Sequence, residues 1–366
     1  MKLDPVATAL NALCPYFTMF PLSFPLSVLA RRASSGDEVL DPFCGRGTTN
    51  YAARLLGLGS VGVDASPVAA AITASKLVAV RSKAVTAEAQ SILASEPAAA
   101  LPEGEFWRLA FHPTVLADLC RLRAALLHDC STAQRLALRG LLLGALHGPR
   151  PRTAPSYFSN QCPRTYAPKP AYSVRYWRRH KLRPRPLEVL EIVKRRAQRY
   201  FSGRLAAAGQ ARLADSREVT ALRPRVAKRP FRWVVTSPPY YGMRTYVPDQ
   251  WLRLWFLGGP SVVDYSYGAQ INHGSPESFS EGLHKVWRNA ATFCAEDAHL
   301  IIRFGGIPDR AAEPLDILKS SLQESGWRIE TLHPAGTAHE GRRQAETFLR
   351  RSTKARGEYD VWARLA

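Results

Sequence analysis

The chain lacks the cysteine pattern of a stapled or zinc-bound fold. Its six cysteines, Cys14, Cys44, Cys120, Cys130, Cys162 and Cys294, are scattered over 366 residues with no Cys-x-x-Cys pair and no His-x-x-x-His ladder. Neither a disulfide framework nor a zinc site is expected, and a reducing cytoplasm is the natural compartment. Long hydrophobic runs are missing too. The apolar start is interrupted by Asp4 and by Pro5, Pro15, Pro21 and Pro25, and nothing further on is long enough to span a bilayer. A signal peptide and a membrane partner are therefore not expected. Acidic residues are scarce: 30 Asp and Glu face 50 Lys and Arg, a formal net charge of +20 that calls for an anionic partner. Nucleic acid satisfies that demand most simply, although basicity alone does not separate DNA from RNA or from anionic lipid.

What is present suffices for a large core, since 46% of the residues are hydrophobic. The length suggests one domain with a large insertion, or two domains. In the stretch Glu38 to Thr49 a strand ends at Asp41, and Gly45 and Gly47 permit a tight turn before a helix from about Thr48 to Leu56. Such a turn lets backbone approach a ligand closely. A second strand, Gly59 to Asp64, ends in an acid suited to accept hydrogen bonds from ribose hydroxyls, with Ala65 and Ser66 following; a helix cap built on Asp64 and Ser66 gives the same pattern. Ala211 to Asp215, followed by Ser216, reads as a third strand ending in an acid. Phe231 to Val235 is a fourth, and Thr236-Ser237-Pro238-Pro239-Tyr240-Tyr241 stops it abruptly. Paired prolines restrict the backbone and leave carbonyls pointing in set directions; beside aromatic rings they form a stiff acceptor cradle for a planar, amine-bearing guest.

Taken together, Asp-Pro-Phe-Cys-Gly-Arg-Gly-Thr-Thr at 41–49 and Thr-Ser-Pro-Pro-Tyr at 236–240 resemble motifs I and IV of S-adenosylmethionine-dependent amino-methyltransferases, which modify exocyclic nitrogens of nucleobases. The serine form of motif IV is most similar to the DNA N4-cytosine enzymes. The resemblance implies an α/β fold: a seven-stranded Rossmann-like methyltransferase sheet, helices on both faces and the last strand inserted antiparallel. It implies S-adenosyl-L-methionine as cofactor and cytosine N4 of DNA as acceptor, with Ser237, Pro238, Pro239 and Tyr240 at the reaction centre. Ser237 and the Pro238 carbonyl would bind the amine, and Tyr240 would stack on the base. The cofactor would lie against Phe20, Phe24 and Pro25 of a Phe-Pro segment similar to motif X, against Asp41, Pro42, Phe43, Cys44, Gly45, Gly47, Thr48 and Thr49, and against Asp64, Ala65, Ser66, Asp215, Ser216 and Thr236. Cys44 itself reads as a small packed residue without nucleophilic duty. An amine paired inside a duplex is out of reach, so the DNA partner is double-stranded with a flipped base, or single-stranded. A cognate restriction endonuclease is the protein partner that the family allows.

The expected organisation is a catalytic part at 1–80, a helical basic insertion at 81–205, and a second catalytic part at 206–366. Between residues 150 and 232, 22 Lys and Arg face four acids, and aromatic residues are interleaved, as phosphate neutralisation with stacking requires. Arg164, Lys169, Arg175, Tyr176, Trp177, Arg178, Arg179, Lys181 and Arg183 are the candidate contacts there, with Tyr241 and Arg244 beside motif IV; His180 reads as a further polar surface group. An insertion between motifs II and III departs from the common motif orders of the family. N6-adenine methylation of DNA, an RNA or tRNA base methyltransferase, and a non-catalytic nucleic-acid-binding relative remain alternatives. Cytosine C5 methylation is disfavoured because no cysteine lies near Tyr240.

Overall fold

A computed structural model describes residues 8–16, 20–95, 97, 99–148, 155–162, 169–203, 206, 209–224, 229–242, 247–264, 271–306, 312–337 and 357–366. The chain forms two compact units. One comprises Met1–Pro15, Ala74–Ala206 and Tyr246–Tyr267; the other comprises Tyr16–Thr73, Ala207–Thr245 and Gly268–Ala366.

The second unit is built on a seven-stranded sheet of β1 (Glu38–Asp41), β2 (Gly59–Asp64), β3 (Gln210–Leu213), β4 (Phe231–Thr236), β5 (Cys294–Gly305), β6 (Trp327–Thr337) and β7 (Gly357–Leu365), in the order β3-β2-β1-β4-β5-β7-β6. The strands from β3 to β5 run parallel, and β7 inserts antiparallel between β5 and β6. This is the α/β arrangement that the methyltransferase resemblance implies. The central strands are apolar on both faces because helices cover both: Val39, Leu40, Val63, Val234, Leu300 and Ile302 are all buried. Trp287, on the helix Pro276–Ala291, is fully buried; its indole N–H donates to the Ser321 hydroxyl, while its backbone carbonyl accepts the Trp327 indole N–H. Chain order reverses between β1 and β4. That is the topological switch point, where the carboxyl ends of parallel strands open a crevice.

The third strand stops short of the expected acid. It ends at Leu213, and Asp215 lies in the following turn, which is closed by the Glu218 N–H donating to the Asp215 carbonyl. An edge strand paired only to β2 has no second neighbour to extend its ladder.

The first unit is helical. Its helices include Ser82–Ser95, Pro113–His128, Ala133–Ala145, Pro170–Arg179, Val189–Tyr200 and Val247–Phe256. Its core centres on the rings of Phe106, Trp107, Trp177, Trp251 and Trp255, with Trp107 and Trp255 4.6 Å apart. Arg253 is buried there, and its Nε donates to the Leu143 carbonyl at 3.2 Å. Among the described residues, no helix is long and apolar enough to cross a membrane.

Candidate active site

The site is assembled at the carboxyl ends of β1, β2 and β4. The loop after β1 turns sharply. Gly45 and Gly47 both have positive φ, and Gly47, at φ 72°, is also sterically required, because a Cβ there would lie 2.6 Å from the Thr73 hydroxyl oxygen. Thr73, on the helix Pro67–Leu77, supports the loop by donating to the Gly45 carbonyl at 3.1 Å. Sequence reasoning missed this residue; one threonine in an alanine-rich helix is a faint signal.

Asp64 reaches across from the end of β2. Its Oδ2 accepts the Gly45 N–H and its Oδ1 the Ser66 N–H, each at 2.8 Å. Ser66 in turn accepts the Ala69 N–H at 3.4 Å, so capping and loop-holding are both realised. Each carboxylate oxygen keeps a lone pair for another donor. Burial raises the pKa of Asp64, while the two amide hydrogen bonds oppose the shift.

Asp41 is fully buried. Its Oδ1 accepts the Thr236 hydroxyl at 2.6 Å and the Phe43 N–H at 3.1 Å, tying the end of β4 to the loop after β1. Among the described residues its Oδ2 and the Thr49 hydroxyl have no hydrogen-bond partner; the hydroxyl lies near enough to favour the ionised acid without completing a bond. Desolvation dominates and pushes the Asp41 pKa from 3.8 up to about 7. Burial, followed by the charges of Asp64 and Asp41, holds the Cys44 thiol far above its usual range, so it is no nucleophile at neutral pH.

Ser216 donates to the Pro42 carbonyl at 2.7 Å and so braces the same loop. Asp215 is engaged by the Arg217 guanidinium, which accounts first for its lowered pKa. Phe20 and Phe24 are buried and meet edge to face at 5.6 Å. Arg303 lies 3.9 Å above the Phe24 ring while binding Asp360 through two 2.7 Å hydrogen bonds. Neither Arg303 nor Asp360 carried a sequence signal, because the strands that pair them, β5 and β7, are far apart in the chain.

At the end of β4, Pro238 is buried while Ser237 and Pro239 are half-buried. Among the described residues no protein group hydrogen-bonds to the Ser237 hydroxyl or to the Pro238 carbonyl. Tyr240 is not a free-standing ring: it is 5% exposed, packs edge to face with Phe304 at 5.5 Å, and donates its hydroxyl to Glu358 at 2.5 Å. Gly305 makes room for that ring, since a Cβ there would come within 3.2 Å of it. Tyr241 is half-buried, 5.6 Å from Phe279, and the Gly242 N–H donates to His273 Nδ1 at 3.1 Å. Glu358, on β7, and His273, ahead of the helix Pro276–Ala291, were missed because each meets its partner only through segments far apart in the chain.

In the helical unit, Arg175, Arg179, Lys181 and Arg183 are exposed. Lys169 is exposed and pairs with Asp249 at 3.4 Å, and Arg178 pairs with Glu105. Trp177 is a correction: it is fully buried, and its indole N–H donates to the Gln161 carbonyl at 3.2 Å, so it belongs to the core and offers nothing to nucleic acid. Arg164 and Arg244 lie outside the described residues.

Residues 7–75 match a family model of N6/N4 type described as DNA methylase. Over 35 residues, 10% of this chain, the sequence is 51% identical to the Type II methyltransferase M.BsoBI of Geobacillus stearothermophilus. That match spans 7% of the relative's length. The rRNA methyltransferase aviRa of Streptomyces viridochromogenes is 14% identical, with 100% of this chain and 94% of that one covered and a TM-score of 0.39. A SAM-dependent methyltransferase of Methanosarcina mazei is 7% identical, with 94% and 97% covered and a TM-score of 0.34.

Proposed function

We propose that the protein is an S-adenosylmethionine-dependent DNA amino-methyltransferase whose acceptor is the exocyclic N4 of cytosine. The observation that carries this reading is the Ser237 hydroxyl and Pro238 carbonyl at the end of β4, uncommitted among the described residues and joined to the loop after β1 through Thr236 and Asp41 at 2.6 Å. The family match over residues 7–75 supports the cofactor side.

The residues present suit that cofactor. Asp64 has acceptor capacity left for a ribose diol, and Asp41 keeps a buried oxygen without a partner among the described residues. When bound, S-adenosylmethionine supplies an electrophilic methyl group on a cationic sulfonium. Ser237 and the Pro238 carbonyl accept hydrogen bonds from the amine of the base, which draws its lone pair out of conjugation with the ring and orients it. Tyr240 is buried and held through Glu358, so it braces the backbone that carries Ser237 and Pro238 and does not stack on the base as the resemblance implied. The exposed cations of the helical segment hold the phosphate backbone. The serine at 237 is what favours cytosine over adenine.

Incubation with labelled S-adenosylmethionine and separate DNA and RNA, digestion to nucleosides and mass spectrometry tests the reading. N4-methylcytosine in DNA is the expected product. N6-methyladenine overturns the weight on Ser237, and label in RNA alone overturns the substrate. A narrower prediction concerns Asp64: Asp64→Ala weakens cofactor binding about tenfold by calorimetry, the worth of one hydrogen bond to a charged acceptor. An unchanged affinity returns Asp64 to loop-holding alone.

A further inference from the structure

The helix Pro170–Arg179 carries an ordered column of rings on its outer side. Tyr172 and Tyr176 stack with ring planes 21° apart and centroids 6.2 Å apart, and His180, just past the helix end, lies 4.4 Å from Tyr176 with its ring tilted by 43°. The i, i+4 spacing puts all three on one face. Trp177 and Ser173 face the core instead. Tyr172, at the column's end, is 48% exposed, Tyr176 is partly exposed and His180 is exposed.

Charge surrounds the column on one side of zero. From Lys169 to Leu187 there are seven lysines and arginines and no acid. Lys169 and Arg178 are engaged by Asp249 and Glu105, but Arg175 and Arg179, which flank the rings, have no acidic partner among the described residues. Stacked rings exposed to water invite a planar π surface, and unpaired guanidinium groups beside them invite phosphate. A duplex offers phosphates but keeps its base faces covered. Only unpaired nucleotides offer both.

We propose that the Tyr172, Tyr176 and His180 column, with Arg175 and Arg179, is a platform for single-stranded nucleic acid, its rings taking unpaired bases and its arginines the adjoining phosphates. This deepens the reading of the chain as acting on nucleic acid, and rests on it for the class of partner. DNA and RNA share the required chemistry.

The test uses the full chain and three fluorescent probes of one sequence: single-stranded DNA, the same strand as RNA, and duplex DNA. Replacing Tyr172 and Tyr176 together by leucine is expected to weaken single-strand binding about tenfold by anisotropy, with duplex binding and the salt slope unchanged. Tyr176→Phe, which keeps the ring, retains the affinity. Arg175→Gln with Arg179→Gln lowers the single-strand salt slope by about 0.7 for each phosphate no longer neutralised. The tighter of the DNA and RNA arms identifies the polymer. Equal losses on single strand and duplex, or no loss on either, overturn the platform. Methyl transfer by the parent protein is measured separately: a parent that keeps the tyrosine-dependent single-strand preference but transfers no methyl group refutes the enzymatic reading and leaves the platform standing.

Discussion

For the proposed reaction, replacing Ser237 with alanine is expected to lower methyl transfer to DNA by about 10²- to 10³-fold while cofactor affinity stays unchanged, the size of loss expected when one preorganised polar contact to the reacting group is removed. The expectation rests on what the hydroxyl does not do. No protein group uses it among the described residues, and the residue is only half-buried, so its loss leaves no orphaned partner and little void. Pro238 and Pro239 hold the backbone, so the Pro238 carbonyl stays in place in the variant and accounts for the residual rate. Single-turnover transfer measured beside calorimetric cofactor binding separates the contributions. Product formation at the parent rate would remove Ser237 from the reaction centre and with it the reason for favouring cytosine.

The parts of this site that could be read from the sequence are those made by neighbours in the chain. The loop after β1 declares itself through Gly45 and Gly47 between a strand and a helix, and the end of β4 through Pro238 and Pro239 after a β-branched run. Contacts that join distant segments left no such mark. Thr73 under Gly45, Glu358 on Tyr240 and Arg303 on Phe24 each depend on strand order and register, which local pattern does not contain. Tyr240 was legible as an aromatic residue but not as a buried one, because its burial comes from Phe304 and Gly305 on the next strand. Trp177 shows the opposite case. Adjacent helical residues point about 100° apart, so Tyr176 and Trp177 cannot share a face. The spacing of Ser173 and Trp177 against Tyr172, Tyr176 and His180 already separated core from surface, yet a composition rich in arginine and aromatics obscured it.

Asp41 gives the second large effect, and its sign follows from burial. The acid is pushed from 3.8 up to about 7, so between those values the folded protein holds a proton that the unfolded chain releases. Stability therefore falls as pH rises through that window, by at most about 4 kcal/mol at about 1.4 kcal/mol per pH unit. Asp41→Asn keeps an acceptor for Thr236 and Phe43 but carries no charge to desolvate. It is expected to match the parent in denaturant unfolding near pH 4 and to be the more stable protein at pH 8. Binding runs the other way. A cationic cofactor favours the ionised acid, so the parent's affinity for S-adenosylmethionine should climb about tenfold per pH unit from pH 5 and level off above about 7, with protons released on binding in calorimetry. The asparagine variant should show a flat profile over the same range. A parent profile equally flat would mean that Asp41 stays in one protonation state throughout and serves only to join β4 to the loop after β1. The steep profile would instead identify a buried charge that costs the fold stability because the cofactor's charge compensates it, and would explain why an acid with an unpartnered oxygen is held at the end of β1.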